Sequence, residues 1–297
     1  MDRRDQALAL AALGLLVGCQ SAPERLRVTF LDVGQGDSAV IETPSGKVVV
    51  IDGGGIPSDP SASEAGVDPG TRIVVPFLRS RGISTIDLLI ATHPDDDHVQ
   101  GLLAVTERLA VRTVLDSGLP AAPNSSMSQL RAAWKARGIT VHTARRGQSF
   151  DLGTGVRLEI LHPADPLITG THSDDNNNAI VARLVYGKAR ILFTADAEQD
   201  AEESLLKSGL DLSADVLKVG HHGSRGSTSE RFLRAVNPTI AILSCGRQNR
   251  FGHPHKETLD RLKKYNNQIF RTDQDGAIFL QTNIKTFSII KTINHQK

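Results

Sequence analysis

The most informative ten residues of the chain follow an apolar run and read Thr92-His93-Pro94-Asp95-Asp96-Asp97-His98-Val99-Gln100-Gly101. Two imidazoles and three carboxylates within six residues would repel one another and lose hydration unless a cation lay between them. Together these groups suit borderline or hard divalent ions such as zinc or manganese. The preceding apolar run, Ile86–Ala91, is typical of a buried strand. The pattern predicts a metal-binding loop, the histidine loop (His93–His98). The alternative is a solvated acidic turn before a helix whose spacing begins at Gly101.

Polar side chains follow other apolar runs in the same way. Asp196 comes after Ile191–Phe193, and the adjacent residues His221 and His222 follow a further apolar run. Taken alone, an aspartate that follows a strand, as Asp196 does, is more often a helix cap than a metal ligand. In an α/β protein, however, polar groups at strand ends converge on one edge of the sheets. The converging groups supply enough ligands for two metal ions: His93, Asp95, Asp97, His98, Asp196 and His221.

The two adjacent histidines are not expected to play the same role. Neighbouring side chains at a strand end point in different directions, so at most one is expected to be a ligand. Two weaker polar segments accompany them. Asp52 follows the run Val49–Ile51, where it either orients a ligand or caps a turn. The loop Asn249–His255 precedes a predicted helix, and without the other motifs a structural role explains it equally well.

The order of the predicted elements indicates the fold class. Strands come first, at residues 26–33, 38–42 and 47–52, and strands then alternate with helices in two halves. This order predicts an α/β fold of two sheets packed face to face with helices outside, within residues 26–297. The formal net charge of +1 excludes a strongly basic protein that coats nucleic acid, although a local basic groove remains compatible with it.

The N-terminus has the pattern of an export signal. A charged start precedes the apolar stretch Ala7–Val17, and Leu16–Cys19 resembles a bacterial lipobox. We therefore predict a lipoprotein-type signal segment at residues 1–19, lipidation of Cys19, and a linker at residues 20–25. The mature protein would then be anchored to a bacterial membrane on its periplasmic or extracellular face. The alternative is a frayed apolar N-terminus of a cytosolic protein.

Taken together, these residues resemble the metallo-β-lactamase superfamily, which implies a four-layer αββα sandwich with a two-metal rim. The family's first motif is His-x-His-x-Asp-His, and here Asp95 occupies the place of the middle histidine. This variant is similar in particular to the hydrolase domain of ComEC-type DNA-uptake proteins and its stand-alone relatives. The resemblance covers roughly residues 26–290 and includes five further segments: Asp32–Ser38, Asn176–Asn178, Thr194–Asp196, His221–Ser224 and Gly252–Pro254.

The resemblance implies a ligand set for two divalent metal ions, zinc or manganese. One ion would be bound by His93 and Asp95 and the other by Asp97, His98 and His221, with Asp196 as the bridge. Asp37, Asp52 and Asn178 would lie next to these ligands. The third protein ligand of the first ion is not identified, and the candidates are His172 and the stretch Asn176–Asn178.

The resemblance and the basic residues in the motif loops together favour phosphate ester hydrolysis. Asp97, His222 and His253 would take part in catalysis, and either histidine could protonate the leaving oxygen. Four residues would contact the substrate: Lys218, Ser224, Arg225 and Arg250. For each basic residue the alternative is a solvated surface charge.

These observations predict an exported metal-dependent phosphodiesterase or nuclease that acts on DNA through a two-metal site. One alternative is a β-lactamase, a lactonase or a small-molecule phosphodiesterase, because one metal rim supports several hydrolyses. The other is a non-catalytic, lipid-anchored DNA-binding module. The expected partners are DNA or another phosphodiester and, through the N-terminus, a membrane; no obligate protein partner is expected.

Overall fold

A computed structural model of the protein describes residues 25–56, 68–284 and 286–292. The predicted signal segment, Cys19 and the linker up to residue 24 lie outside the described residues. Within the described ranges, no helix is both long and apolar enough to cross a membrane.

The described chain contains fifteen strands and seven α-helices. The strands are β1 (Leu26–Phe30), β2 (Ala39–Glu42), β3 (Val48–Ile51), β4 (Thr85–Ala91), β5 (Ala110–Asp116), β6 (Thr140–Thr143), β7 (Ser149–Asp151), β8 (Val156–His162), β9 (Val181–Tyr186), β10 (Ala189–Phe193), β11 (Val216–Lys218), β12 (Ile240–Leu243), β13 (Gln268–Arg271), β14 (Ile278–Thr282) and β15 (Phe287–Lys291). The helices are α1 (Val75–Ser80), α2 (Asp96–Arg108), α3 (Ser126–Ala136), α4 (Gln199–Lys207), α5 (Glu230–Val236), α6 (Lys256–Lys264) and α7 (Thr272–Asp275).

The strands form two mixed sheets. The first has eight strands in the order β15-β14-β1-β2-β3-β4-β5-β6, and the second has seven in the order β13-β12-β11-β10-β9-β8-β7. Strands β3 to β6 run parallel in the first sheet, and β10 to β13 run parallel in the second. Parallel strands end at the same edge of a sheet, so the loops that follow β3, β4, β10, β11 and β12 gather at the ends of their sheets.

Three apolar clusters define four layers. The central cluster lies between the sheets, where the rings of Phe30 and Phe193 stack with their centroids 5.7 Å apart. A second cluster packs the outer face of the first sheet against α1, α2 and α3, and includes the fully buried Trp134. A third cluster, which includes the buried Phe232, packs α4, α5 and α6 against the second sheet. The predicted αββα sandwich is therefore confirmed.

The helix after the histidine loop begins earlier than its apolar spacing predicts. Helix α2 starts at Asp96 rather than at Gly101, and Asp95 is its N-cap residue in an extended conformation. Asp96 and Asp97 lie in the first turn, where carboxylates interact favourably with the helix dipole. As a result, His98 projects from the rigid first turn of a helix and not from a loop.

Candidate metal centre

The edges of the two sheets meet at a cluster of histidines and aspartates. His93 follows β4, and Asp97 and His98 come from the first turn of α2. Asp196 follows β10 in the other sheet, and His222 lies in the turn after β11. All of these side chains are largely buried. The cluster thus depends on the packing of the two sheets against each other.

Asp196 lies at the centre of this cluster. Its Oδ1 is 3.2 Å from Nε2 of His98, and its Oδ2 is 3.3 Å from Nε2 of His222. The same His222 nitrogen is 3.3 Å from Oδ2 of Asp97. On the other side, Nε2 of His93 is 3.7 Å from Oδ2 of the half-exposed Asp95. Among the described residues, Asp196 belongs to one group of candidate ligand atoms with His93 and His98 and to another with His222 and Asp37, so its carboxylate is placed where it could be shared by two ions.

The residues present fit divalent metal ions. Among the described residues, the ligand atoms of His93, His98 and Asp196 lie within 4.8 Å of one another, as do those of Asp97, His98 and His222. The Nε2 atoms of all three histidines and Oδ1 of Asp196 are buried without a hydrogen-bond partner in the described part of the chain. Leaving such atoms unpaired is costly, and metal ions between them would satisfy them.

Hydrogen bonds at Nδ1 fix which ring nitrogen each of these histidines presents. His98 donates from Nδ1 to Oδ2 of Asp52 at 2.8 Å, and His222 donates from Nδ1 to the carbonyl of Ser244 at 2.9 Å. The hydroxyl of Thr92 donates to Asp52 at 2.7 Å, so its oxygen accepts from Nδ1 of His93 at 3.0 Å. Each ring therefore directs the lone pair of Nε2 into the cluster, as a metal ligand requires.

The pKa shifts show how strongly the cluster attracts positive charge. Burial acts to lower the pKa of His98 and of His222, but Asp196 together with the other nearby carboxylates raises both well above their usual value. At His93, burial and the charge of His98 lower the pKa to about 4. Burial and the nearby Asp97 raise the pKa of Asp95 to about 6. Without a metal ion, protons must supply this charge, and metal binding would release them.

Backbone strain is concentrated around the cluster. Four residues that are not glycine adopt left-handed φ angles here: Asp52 at 58°, Ala195 at 46°, His221 at 45° and His222 at 52°. Such conformations cost free energy and persist where the surrounding structure imposes them, as at functional sites. Gly36 meets a related constraint, because a Cβ atom there would lie 2.1 Å from the carbonyl oxygen of Asp97.

The geometry revises the expected roles of the adjacent histidines. His222 is fully buried and turns Nε2 toward Asp97 and Asp196, whereas His221 lies 3.6 Å from Asp196 and lines an open cleft. Nδ1 of His221 donates to Oε1 of Glu198 at 2.9 Å. The structure thus favours His222 as the ligand and places the partly buried His221 at the wall of the cleft. The consecutive left-handed residues separate the two rings.

The asparagine stretch does not behave as predicted at Asn178. Its Oδ1 accepts a hydrogen bond from the nitrogen of Ile168, and its Nδ2 donates to the carbonyls of Ile168 and Asp174. The side chain of Asn178 therefore holds a loop. By contrast, Oδ1 of Asn176 is buried and has no hydrogen-bond partner among the described residues. His172 is exposed and belongs to none of the metal-ligand groups found in the described ranges.

The prediction that Lys218 contacts substrate is wrong. Its side chain is only 4% exposed, and Nζ lies 2.6 Å from Oδ2 of Asp37 and donates to the carbonyl of Val219 at 3.0 Å. Burial acts to raise the pKa of Asp37, but Lys218 and His222 lower it to about 2. Lys218 is therefore half of a buried ion pair behind His222, whose Nδ1 is 3.3 Å from Oδ1 of Asp37.

Substitution Lys218→Met is expected to lower the free energy of unfolding by about 3–5 kcal/mol, because it leaves the buried Asp37 carboxylate without its cation. Urea denaturation would measure the loss. In the double variant Lys218→Met/Asp37→Asn no unpaired charge remains, so we expect much of the stability to return. The exposed Lys256 provides the control, since Lys256→Met should change stability by less than about 0.5 kcal/mol. Equal effects at the two lysines would contradict the buried-pair interpretation.

Of the other three predicted substrate contacts, Arg250 lines an open cleft beside the cluster and Ser224 and Arg225 do not. Arg250 and Phe251 line it, together with Asp95 to Asp97, Ser125, Asp196 and His221, and its volume is about 360 Å³. Ser224 accepts a hydrogen bond from the nitrogen of Gly226 within its own turn. Arg225 is exposed but is not among the residues that line this cleft. Of these predictions, the placement of Arg250 suits substrate contact best.

His253 presents the opposite ring nitrogen from the ligand histidines. Gln35 accepts from the nitrogen of Gly246 through Oε1 at 3.0 Å, so its amide nitrogen points to Nδ1 of His253 at 3.4 Å. Nδ1 therefore accepts, and the proton is on Nε2. Burial, followed by the charges of His222 and His221, lowers the pKa of His253 to about 3. His253 is thus a neutral hydrogen-bond donor.

Sequence reasoning missed two residues of the site, Gln35 and Glu198. Gln35 lies in a quoted motif, but nothing in the linear pattern shows that it spans the two sheets to reach Gly246 and His253. Glu198 is an acidic residue just before α4, a position that is also usual for a helix cap. Only its contact with His221 distinguishes it.

The fold and the site define an αββα protein with a candidate metal centre between its sheets. Residues 31–247 match the metallo-β-lactamase superfamily, and the chain belongs to this superfamily. Its relatives include competence proteins of the ComEC type. It is 32% identical over 270 residues to ComE operon protein 3 of Bacillus subtilis and 31% identical over 261 residues to competence protein ComA of Neisseria gonorrhoeae. These alignments cover 88% and 87% of this chain but only 34% and 33% of the relatives, so the chain spans about a third of their length.

Solved structures share the fold at low sequence identity. The metallo-β-lactamase fold protein YhfI of Bacillus subtilis is 10% identical, with a TM-score of 0.56 over 87% of this chain and 100% of that one. CmlA, a diiron β-hydroxylase from Streptomyces venezuelae, is 14% identical, with a TM-score of 0.51 over 91% of this chain and 55% of that one. Both likenesses concern the fold alone. Family membership together with the His/Asp clusters supports metal-dependent hydrolysis as the general class of activity.

Proposed function

We propose that this chain is a metal-dependent phosphodiesterase that cleaves DNA. The observation that carries the proposal is the set of buried Nε2 atoms of His93, His98 and His222, which have no hydrogen-bond partner among the described residues and surround the carboxylate of Asp196. This cluster adjoins an open cleft that Arg250 lines. A guanidinium group suits a phosphate oxygen. The relatives named as competence proteins support DNA as the polymer.

When bound, two divalent ions would supply Lewis-acid stabilisation of the phosphate oxygens and a water molecule of lowered pKa. His93 and Asp95 would hold one ion, and Asp97, His98 and His222 the other, with Asp196 between them. We propose zinc or manganese, because the donor set mixes imidazole with carboxylate. In this scheme, Asp97 acts as a ligand.

Arg250 and His221, which line the cleft, and His253, which stacks on the cleft residue Phe251, have separable tasks in this proposal. Arg250 neutralises the phosphate, and His253 donates a hydrogen bond from Nε2 to a non-bridging oxygen. His221, oriented by the bond from its Nδ1 to Glu198, carries a proton on Nε2 and transfers it to the leaving oxygen. Ser224 and Arg225 do not line the cleft and stay candidates for contacts with the flanking backbone.

The test is hydrolysis by the purified chain with manganese or zinc, offered single-stranded DNA, plasmid and nitrocefin in parallel. Metal-dependent cleavage of DNA supports the proposal. Cleavage of nitrocefin alone would replace it with β-lactam hydrolysis. Tight retention of DNA without cleavage under any metal would replace it with a binding module.

Replacement Glu198→Gln tests the proton donor. It keeps a hydrogen-bond acceptor for His221 but removes the charge that stabilises the protonated ring. We expect kcat for DNA to fall about 10- to 100-fold with KM and metal content unchanged. Methyl p-nitrophenyl phosphate needs no proton on its leaving group and should be affected far less. Glu203→Gln on the outer face of α4 is the matched control, and an equal loss on both substrates would count against a proton donor at His221.

We also propose that the protein is exported and lipid-anchored through Cys19, on the strength of the apolar segment before this residue. Cell fractionation tests this. Cys19→Ser should move the protein from the membrane fraction to the soluble fraction, and an unchanged distribution would refute the anchor.

A further inference from the structure

An exposed aromatic ring lies at the edge of the candidate catalytic cleft. Phe251 is 41% exposed and lines the cleft together with Arg250. Among the described residues, the other large hydrophobic side chains of comparable exposure are aliphatic: Val141, Leu210, Ile284 and Ile290. None of these four lines the cleft. Single exposed apolar residues are common, but an aromatic ring exposed beside a catalytic centre is suited to bind a planar group of the substrate.

The ring is held in place before any substrate arrives. The ring of His253 stacks against Phe251 with the centroids 5.6 Å apart and the planes inclined by 20°. The loop is braced by Asn249, whose Nδ2 donates to the carbonyls of Gly246 at 2.8 Å and His253 at 2.6 Å. The nitrogen of His253 donates back to Oδ1 of Asn249 at 2.9 Å. A planar group that binds this ring therefore loses little free energy to ordering the loop.

The cation and the aromatic ring in the cleft together suit a ligand that has a planar part and an anionic part. The guanidinium carbon of Arg250 lies over the Phe251 ring, 4.7 Å from its centroid, so a cation covers this face of the ring until the guanidinium turns to a phosphate and a base takes its place. Three carboxylates, Asp95, Asp96 and Asp97, line the same cleft and would repel a polyanion that is not screened by cations. Stacking supplies attraction that does not depend on charge.

We propose that Phe251 is a stacking platform for the nucleobase next to the scissile phosphate. This inference rests on the proposed function and deepens it. In a duplex, both faces of each base are already stacked on neighbouring pairs. Away from the ends of a duplex, a base that stacks on Phe251 must therefore be unpaired, and the preferred substrate is single-stranded nucleic acid. Because every base has a π-face, the site selects strandedness rather than sequence.

Two phosphodiesters separate stacking from catalysis: thymidine 5′-(p-nitrophenyl phosphate), which carries a base, and methyl p-nitrophenyl phosphate, which carries none. With the full chain and manganese, Phe251→Ala is expected to lower kcat/KM for the first about 10- to 100-fold. The second, which has no base to stack, should fall by a much smaller factor. Phe251→Trp should restore the rate on the base-bearing ester. Leu210→Ala, which removes a side chain of the same exposure outside the cleft, should alter neither substrate. Equal losses on both substrates, or no loss on either, would overturn the proposal.

A binding measurement keeps this inference separate from the proposed function. Single-stranded DNA that contains 2-aminopurine should lose fluorescence when it binds the chain in calcium, and the quenching should disappear in Phe251→Ala. Quenching without any hydrolysis would support the stacking site while contradicting the phosphodiesterase. Hydrolysis without quenching, or quenching that survives Phe251→Ala, would reject the stacking site alone.

Discussion

Asp196→Asn is expected to abolish metal-dependent phosphodiester hydrolysis, with a loss of at least about 10³-fold in kcat/KM. Asp196 is the carboxylate that faces His98 through one oxygen and His222 through the other. Burial acts to raise the pKa of Asp196, but His222 and His98 hold it well below its usual range. Asparagine keeps the shape of the side chain but removes the negative charge between the ions. Since metal ions contribute several kcal/mol to the transition state, their loss corresponds to about three factors of ten.

The control for this variant is Asp200→Asn, which removes an exposed carboxylate four residues along the chain. It should retain wild-type activity and metal content. Elemental analysis and circular dichroism should accompany the assay, so that metal loss is distinguished from unfolding. A well-folded Asp196→Asn protein with near wild-type turnover would remove Asp196 from the catalytic centre.

The second large effect is the difference in bound metal and activity that we expect between His222→Ala and His221→Ala. His222→Ala should lose bound metal and fall about 10³-fold in activity, because Nε2 of His222 faces both Asp97 and Asp196. His221→Ala should keep its metal ions, since this ring is bound to Glu198 and lines the cleft. Its activity should fall through kcat on substrates with poor leaving groups.

Metal titration of both variants decides between these assignments. The two substitutions remove the same group from adjacent positions, so each controls for the other. If His221→Ala lost its metal and His222→Ala kept it, the ligand assignment inferred from the linear pattern would be restored and the structural assignment rejected.

The αββα fold could be predicted because its signals are local. The apolar run Ile86–Ala91 and the alternation of later strands and helices indicate two covered sheets, and the chain's three apolar clusters follow that plan. The histidine loop was recognisable for the same reason, since its ligands are concentrated in six residues. The start of α2 was misplaced because Asp95 to Asp97 carry no apolar spacing, although they suit a helix N-terminus.

Residue type and position after a strand were sufficient to propose a metal centre, and to name most of its candidate ligands. They were not sufficient to assign Lys218, Asn178 or the adjacent histidines. Lys218 is the last residue of β11, and a strand directs alternate side chains to opposite faces, so proximity to a motif does not place it in the cleft. The directions of the His221 and His222 side chains depend on the left-handed backbone of these two consecutive residues, which the residue types alone do not predict.

Contacts between residues far apart in the sequence decided the remaining assignments. Gln35 reaches His253 across 218 positions of sequence, and Asp52 reaches His98 across 46. These hydrogen bonds select which nitrogen each histidine presents, and that choice separates a metal ligand from a hydrogen-bond donor. The linear pattern thus specified which chemical groups stand at the ends of the strands. Tertiary packing specified what each group faces, because a ring's role depends on the partner that holds its other nitrogen.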